Sequence, residues 1–366
     1  MFSYAGVPFR PTDARIDLWS PSNSPAPHAT TGPGRAPTRD HAAGAWFNRK
    51  DPMIRFDLSI ELEYTVLAPT DFIFVIQPTR TAYQRVTWER LSMTPEAPWR
   101  EEPHGEPVNR HLRVHAEPGP FSLRYDAIVD LVHHFALPAD VREVPIAELP
   151  ASVLQYIYPS RYCQSDRLLE VARGEFGTMT PGYDRVEAIR QWVQSRTKFQ
   201  IGSSNPGTSA LETYTCAAGV CRDFAHLMIS MCRALNIPAR IATAIDYGAD
   251  PSLGPTDFHC YVEAYLGDRW YIFDPSGISP RMGLLRIGTG KDASDVAFAT
   301  IFGTVQWSMP KITIRAEGDE MSGVVQPFRH DYAVSTDSAQ AEPDEVVAQL
   351  RQPARLDLSA RGAAPA

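Results

Sequence analysis

The chain has 366 residues, 43% hydrophobic and 21% charged, and its 35 Lys and Arg against 43 Asp and Glu leave a formal net charge of −8. That balance excludes a fibrous, collagen-like or wholly disordered chain, and the acidic total gives no electrostatic support for binding nucleic acid or an anionic membrane. At roughly 100 to 200 residues per domain, the length predicts two domains with ample chain for a core.

Residues 1–51 carry seven prolines (Pro8, Pro11, Pro21, Pro25, Pro27, Pro33 and Pro37) among Ser, Thr, Ala and Gly. Such a composition buries too little apolar surface to offset its ordering entropy, so a disordered Pro-rich arm is expected there. Met1 to Arg10 contains no basic segment followed by an apolar run, and nowhere do ~18 consecutive apolar residues occur. A cytoplasmic location is the resulting expectation. Five cysteines (Cys163, Cys216, Cys221, Cys232 and Cys260) are too few and too odd in number for a disulfide framework, which predicts free thiols.

From Ile54 the pattern alternates: Phe56, Leu58, Ile60 and Leu62 against Asp57, Ser59, Glu61 and Glu63, the period-2 signature of a half-buried strand. Further strand-like runs at Phe72 to Ile76, Val86 to Leu91, Val108 to Val114, Phe121 to Leu131 and around Ala136 are separated by turn residues. Residues 52–150 are therefore expected to form a β-rich domain, an antiparallel sandwich or barrel. Beyond Pro150 the period lengthens. Ser165 is a candidate cap for a helix to about Phe176, and Asp184 with Glu187 resembles a capping box for a helix to about Lys198. Residues 151–325 then read as an α+β domain, and 326–366 as a mostly disordered tail apart from a helix-compatible stretch at Val346 to Leu350.

The segment Gly219-Val220-Cys221-Arg222-Asp223-Phe224-Ala225-His226-Leu227 continues apolar-periodic to Leu235 and stops at Asn236-Ile237-Pro238. This predicts a helix over 221–235, because Asn accepts the left-handed cap and Pro cannot continue a helix. Cys221 then sits at a helix N-terminus, where the macrodipole and free N–H groups favour a thiolate and can stabilise an oxyanion. A structural, buried cysteine is the competing reading.

Downstream, Phe258 to Leu266 and Arg269 to Asp274 flank a Gly267-Asp268 turn, which pairs 266 with 269, 265 with 270, 263 with 272 and 261 with 274. Alternation puts His259, Tyr261, Glu263, Trp270, Ile272 and Asp274 on one face and Cys260, Val262 and Ala264 on the other. Asp274 is then diagonal to His259, at the ~7 to 8 Å strand separation that a carboxylate and an imidazole can bridge. A histidine oriented by an aspartate is what a thiol nucleophile needs as its base.

Gly219 to Leu227, Pro238-Ala239-Arg240, His259-Cys260-Tyr261-Val262-Glu263 and Trp270 to Pro275 together resemble the core of the bacterial transglutaminase-like superfamily, from about Ser160 to Gly277. The β-rich part from about 54 to 145 resembles the N-terminal region that often precedes this core. The resemblance implies a papain-like α+β fold with Cys221 as nucleophile, His259 as base and Asp274 as orienting acid. Cys260-Tyr261 departs from the Ala-Trp common after the family's catalytic histidine. Val220 stands where animal transglutaminases have Gln, and no equivalent of their calcium sites is evident, so the resemblance to those crosslinking enzymes is one of fold and triad.

Other candidates take structural readings. Cys216 lies five residues before Cys221 without a second Cys pair, a poor zinc pattern, and His104, His111 and His115 with Glu106 match no metal-ligand spacing. No metal and no cofactor is expected. Cys232 and Cys260 read as core thiols, and His226, about 140° around the helix from Cys221, as structural. Asp223 suits the first helical turn and is a candidate partner for Arg240. The loops 202–207 and 246–255 are candidate determinants of specificity. The expected activity is thiol-dependent acyl transfer on a protein or peptide substrate, most directly peptide or amide hydrolysis, since no dedicated amine site is evident. Protein-glutamine gamma-glutamyl transfer by the same triad, and a non-catalytic binding module on the same fold, are the alternatives.

Overall fold

The computed structural model describes residues 53–104, 106–250, 254–318 and 323–336, so the readings for the arm at 1–51 and for Val346 to Leu350 fall outside it. Strand β1 (Met53–Val66) buries every even-numbered side chain from Ile54 to Val66, as its alternation requires. It is followed by β2 (Thr70–Phe74), β3 (Gln84–Thr94), β4 (Trp99–His104), β5 (Glu106–Ala116), β6 (Gly119–Val132) and β7 (His134–Ala136). β1 pairs antiparallel with β6 over its whole length, from Met53↔Val132 to Val66↔Gly119, and β3 adds to the far side of β6. A second antiparallel sheet joins β2, β5 and β4. Strand β4 carries no apolar alternation and is largely exposed, which is why the sequence pattern passes over it.

The α+β part contains α1 (Leu169–Phe176), α2 (Tyr183–Arg196), β8 (Lys198–Phe199), α3 (Ala210–Cys216), β9 (Ala218–Gly219), α4 (Cys221–Ala234), β10 (Ala239–Asp246), β11 (Phe258–Leu266), β12 (Arg269–Phe273) and β13 (Leu284–Gly290). Two helix starts differ from the sequence reading. Helix α1 begins at Leu169 rather than from a Ser165 cap, and α2 is capped from outside, the Gly182 N–H donating to Glu143 Oε1 at 3.0 Å. Glu187 pairs instead with Arg190 one turn on, at 2.8 Å. The end of α4 follows expectation, with Asn236 at φ 62° and the Ile237 N–H donating to Cys232 O at 3.0 Å.

The remaining strands are β14 (Ala299–Phe302), β15 (Val305–Trp307), β16 (Lys311–Glu317) and β17 (Ala333–Ser335). Although they follow the α+β elements in the chain, β15 and β16 pair with β1 and β14 pairs with β2, so residues 299–317 complete the sheets of the N-terminal part. Part of the stretch expected as tail is also ordered: β17 pairs with β7, Ala333↔Ala136 to Ser335↔His134. Among the described residues, no helix is long and apolar enough to cross a membrane.

The four-stranded sheet β12-β11-β10-β13 separates two cores. On one face, Cys260, Val262, Ala264, Ile241 and Phe273 pack with α4 and the other helices. On the opposite face, Tyr261, Ile272, Ala242, Ala244 and Leu285 join the core of the β-rich part. Helix α4 packs against α1, α2, α3, β10 and β11, and all its residues are buried.

One polar cluster holds the central sheet to the β-rich part. Glu263 on β11 receives Arg240 Nε at 2.8 Å on Oε2 and, on Oε1, Arg286 Nη1 at 3.0 Å and the Tyr261 hydroxyl at 3.2 Å. Arg240 also lies 4.2 Å from the centroid of the Trp270 ring. Arg286 donates through Nε to Thr79 Oγ1 at 3.3 Å, and Gln84 Nε2 donates to Arg286 O at 2.8 Å. Replacing Glu263 with Ala strands two buried guanidinium groups, so a loss of about 3 to 5 kcal/mol in urea unfolding is expected. Breaking the Arg124–Asp126 pair at the surface by Arg124→Ala should leave the urea midpoint in the same assay close to that of wild type.

Candidate active site

Cys221 is the first residue of α4, and the local sequence explains how it is held there. The short parallel pair β8–β9 delivers the chain through Ala218 and Gly219 to the helix start. A Cβ at Gly219 would lie 2.6 Å from Asp223 Cβ, so only glycine fits that approach. Asp223 in the first turn accepts the Val220 N–H on Oδ2 at 2.9 Å. Its other oxygen pairs with Arg222 Nη2 at 2.9 Å, whereas Arg240, a candidate partner for Asp223, goes to Glu263. Arg222 Nη2 also donates to Ser204 Oγ at 3.1 Å and Asn205 O at 2.8 Å, tying the 202–207 loop to the helix tip.

The hairpin register is as its turn dictates, Leu266↔Arg269, Tyr265↔Trp270 and Glu263↔Ile272, with Gly267 at φ 60°. The ladder ends at Val262↔Phe273, so Asp274 lies one residue past β12. There its carboxylate closes a turn and faces His259 at once. Oδ1 accepts Ser276 Oγ at 2.6 Å and the Ser276 N–H at 3.0 Å, and Oδ2 accepts the Ser279 N–H at 3.4 Å. His259 Nε2 stands 3.3 Å from the same Oδ1, an ion-pair contact. Arg190 from α2 donates to the Asp274 backbone O at 3.3 Å.

Cys221, His259 and Asp274 are thus brought together, and they are only 3%, 3% and 4% exposed. Burial alone would hold the imidazole neutral, but the charge of Asp274 and contact with the Cys221 sulfur raise His259 well above its ordinary value. Burial likewise opposes ionisation of Asp274, and the His259 charge with the Ser276 hydrogen bonds overcomes it, bringing the carboxyl down to about 2. The Cys221 thiol is held well below the ordinary thiol range, first by a hydrogen bond from Cys260 and, against the cost of burial, by His259. These directions favour a thiolate and an imidazolium backed by a carboxylate.

Three features lay beyond the sequence reading. Cys260 is a core thiol, as expected, and shares with Cys221 the apolar core between α4 and the sheet. Asp246, at the end of β10, is buried with Oδ2 accepting Ser279 Oγ at 3.4 Å, and burial raises it above the ordinary carboxyl range. Asp274 also lines a cleft of ≈ 380 Å³ with Arg190, Gln194, Arg281, Arg329 and His330. His226 is structural: its ring stacks on Tyr162 at 5.0 Å, Nε2 accepts the Ala293 N–H at 3.1 Å, and burial takes it down to about 3. His115 Nδ1 contacts Asp71 at 2.8 Å on the β-rich part, far in sequence from these residues.

The pair of shifts sets a pH window. The contribution of Asp274 is complete above its unfolded value near 3.8 and is lost as pH falls through about 2. That of His259 is complete below its unfolded value near 6.5 and is lost as pH rises through its raised folded value. Wild type should therefore exceed Asp274→Asn in urea midpoint most between about pH 4 and 6.5. The gap should narrow at higher pH; a gap constant from pH 4 to 10 would contradict the ion pair.

Comparison with known proteins places the chain in a family. Residues 170–275 match the transglutaminase-like superfamily and residues 54–152 the bacterial transglutaminase N-terminal domain. A crystal structure from Cytophaga hutchinsonii, described as that of a candidate cysteine protease, is 36% identical, covers 77% of this chain and 97% of its own, and superposes with a TM-score of 0.72. An uncharacterised protein of Mycobacterium leprae (strain TN) is 29% identical over 117 residues, 31% of this chain; the match spans 42% of that relative's length. The chain belongs to the transglutaminase-like superfamily, its core preceded by a bacterial transglutaminase N-terminal domain.

Proposed function

We propose that the protein is a cysteine-dependent hydrolase of peptide or amide bonds, with Cys221 as nucleophile, His259 as acid and base, and Asp274 as the group that orients His259. The observation that carries this reading is the buried ion-pair contact of His259 with Asp274, in a site where Cys221, equally buried, begins α4. The 36% identical Cytophaga protein, described as a candidate cysteine protease, favours hydrolysis over transfer to an amine.

The Cys221 thiolate attacks the substrate carbonyl carbon, and the C=O π electrons move to oxygen as an oxyanion. The backbone N–H groups of Cys221 and Arg222, which have no carbonyl four residues earlier in the helix, would receive that charge, since the Asp223 N–H already donates to Val220 O. As the tetrahedral adduct collapses, the C–N bond breaks and imidazolium His259 gives its proton to the departing amine. A thioester and neutral imidazole remain. His259 then takes a proton from water, the hydroxide adds to the thioester, and the second collapse releases the acid and returns the proton and charge to the imidazolium–thiolate pair. Asp274 keeps its charge throughout and favours the imidazolium at both steps.

Incubation with casein and a fluorescent amine, comparing wild type with Cys221→Ala, separates the outcomes. Fragments formed by wild type and absent with the variant are expected. Amine incorporation without fragments would replace hydrolysis by transamidation, ammonia release alone would indicate glutamine deamidation, and activity equal in both proteins would exclude Cys221 as nucleophile.

A further inference from the structure

We propose that Arg222 is a positioning residue that fixes the 202–207 loop as a wall beside Cys221, and that Ile201, at the start of that wall, receives an apolar side chain of the substrate near the scissile bond. The inference rests on the reading of Cys221 as nucleophile and adds a substrate preference to it. The backbone sets the position. In the parallel pair β8–β9, Lys198 is level with Ala218 and Phe199 with Gly219, and the Gln200 N–H donates to Gly219 O at 3.0 Å. Gly219 lies two residues before Cys221, so the chain leaving β8 runs alongside the approach to α4. Phe199 packs on Phe224, one turn into that helix, with ring centroids 6.3 Å apart. Two residues on, Ile201 is 57% exposed.

Arg222 joins this segment to the helix that bears the nucleophile. The residue is buried, and its guanidinium is used on two sides. Toward its own helix, Nε and Nη2 donate to Asp223 Oδ1 at 3.2 and 2.9 Å. Toward the loop, Nη2 donates to Ser204 Oγ at 3.1 Å and Asn205 O at 2.8 Å. A planar fork can meet acceptors on both elements at once, which the point charge of a lysine cannot reproduce. The loop is braced beyond these ties as well: the Gly207 N–H donates to Asn205 Oδ1 at 2.8 Å, the Thr208 N–H to Asn205 O at 3.0 Å and the Tyr162 hydroxyl to Pro206 O at 2.7 Å. A loop held this firmly by its scaffold presents its exposed groups at fixed places, as a substrate contact requires. Its exposed apolar group is Ile201, whose branched side chain gains by being covered with apolar surface.

The test needs no substrate. Alkylation of Cys221 in the full-length protein at pH 7 is followed by peptide mass spectrometry with iodoacetamide and with N-benzyl iodoacetamide, which carries an apolar ring on the same reacting group. Wild type should favour the benzyl reagent by about fivefold or more, the gain from covering part of one apolar side chain. Ile201→Ser should bring the ratio of the two rates close to one while the iodoacetamide rate stays within about twofold of wild type. Arg222→Lys should lose the same preference with Ile201 intact, and hydrogen exchange at 202–207 should quicken while that of α4 past its first turn is unchanged. A ratio near one in wild type, or a preference that survives Ile201→Ser, would overturn the contact. Loss of preference in Arg222→Lys without faster exchange of the loop, or faster exchange without loss of preference, would overturn the positioning role. Because Ile201→Ser changes an exposed side chain, it decides the contact even where Arg222→Lys folds poorly. A Cys221 that reacts with iodoacetamide no faster than the exposed thiol of Cys216 would instead defeat the reading of Cys221 as nucleophile.

Discussion

Burial deprives the sulfur of Cys221 of water, and an isolated anion in such a place costs several kcal/mol. A charge there needs protein groups to take over solvation, and the start of α4 and the imidazole of His259 are the groups that favour it. The imidazolium is equally unfavourable alone and depends on Asp274, which in turn is held by the N–H and hydroxyl groups of Ser276 and the N–H of Ser279. Each charge is stabilised by the next, and the chain of dependence ends in backbone donors whose positions the fold fixes.

That fixing is largely the business of β11. Its residues 259 to 261 reach alternately into two cores, so a shift of one residue in its pairing would exchange base and thiol between faces. Glu263 opposes such a shift by engaging Arg240 on one neighbouring strand and Arg286 on β13. Arg286 and Gln84 carry the constraint into the β-rich part, whose sheets are completed by strands from the C-terminal side of the transglutaminase-like core. The N-terminal sheets are thus the support against which the strand bearing His259 is packed.

What the sequence made legible was local. The Gly267-Asp268 turn determined the hairpin register, and Asn236-Ile237-Pro238 marked the end of α4 within a residue. Alternation sorted Cys260 and His259 onto their faces correctly, but it says nothing about which element covers a face, so the packing of α4 over Cys260 was not visible. Pairings between distant residues were hidden for the same reason: Asp223 is closed by its neighbour Arg222, leaving Arg240 for Glu263, 23 residues away. Strands β14 and β15 are short and depend on tertiary pairing, whereas β16 alternates Ile312, Ile314 and Ala316 with polar residues and only its pairing with distant β1 was hidden. Ser165 and Asp184 fit capping patterns, yet Glu143 from a different segment supplies the contact at the start of α2.

The claim on which the site depends is that Cys221 is an anion at neutral pH, stabilised by its buried partners. Thiolate absorbance near 240 nm, titrated from pH 4 to 10 in wild type and Cys221→Ser, measures this directly. One thiolate should be present in wild type below pH 7 and missing from the variant. Superimposable curves, with absorbance rising only near the ordinary thiol value of about 8.5, would contradict the account.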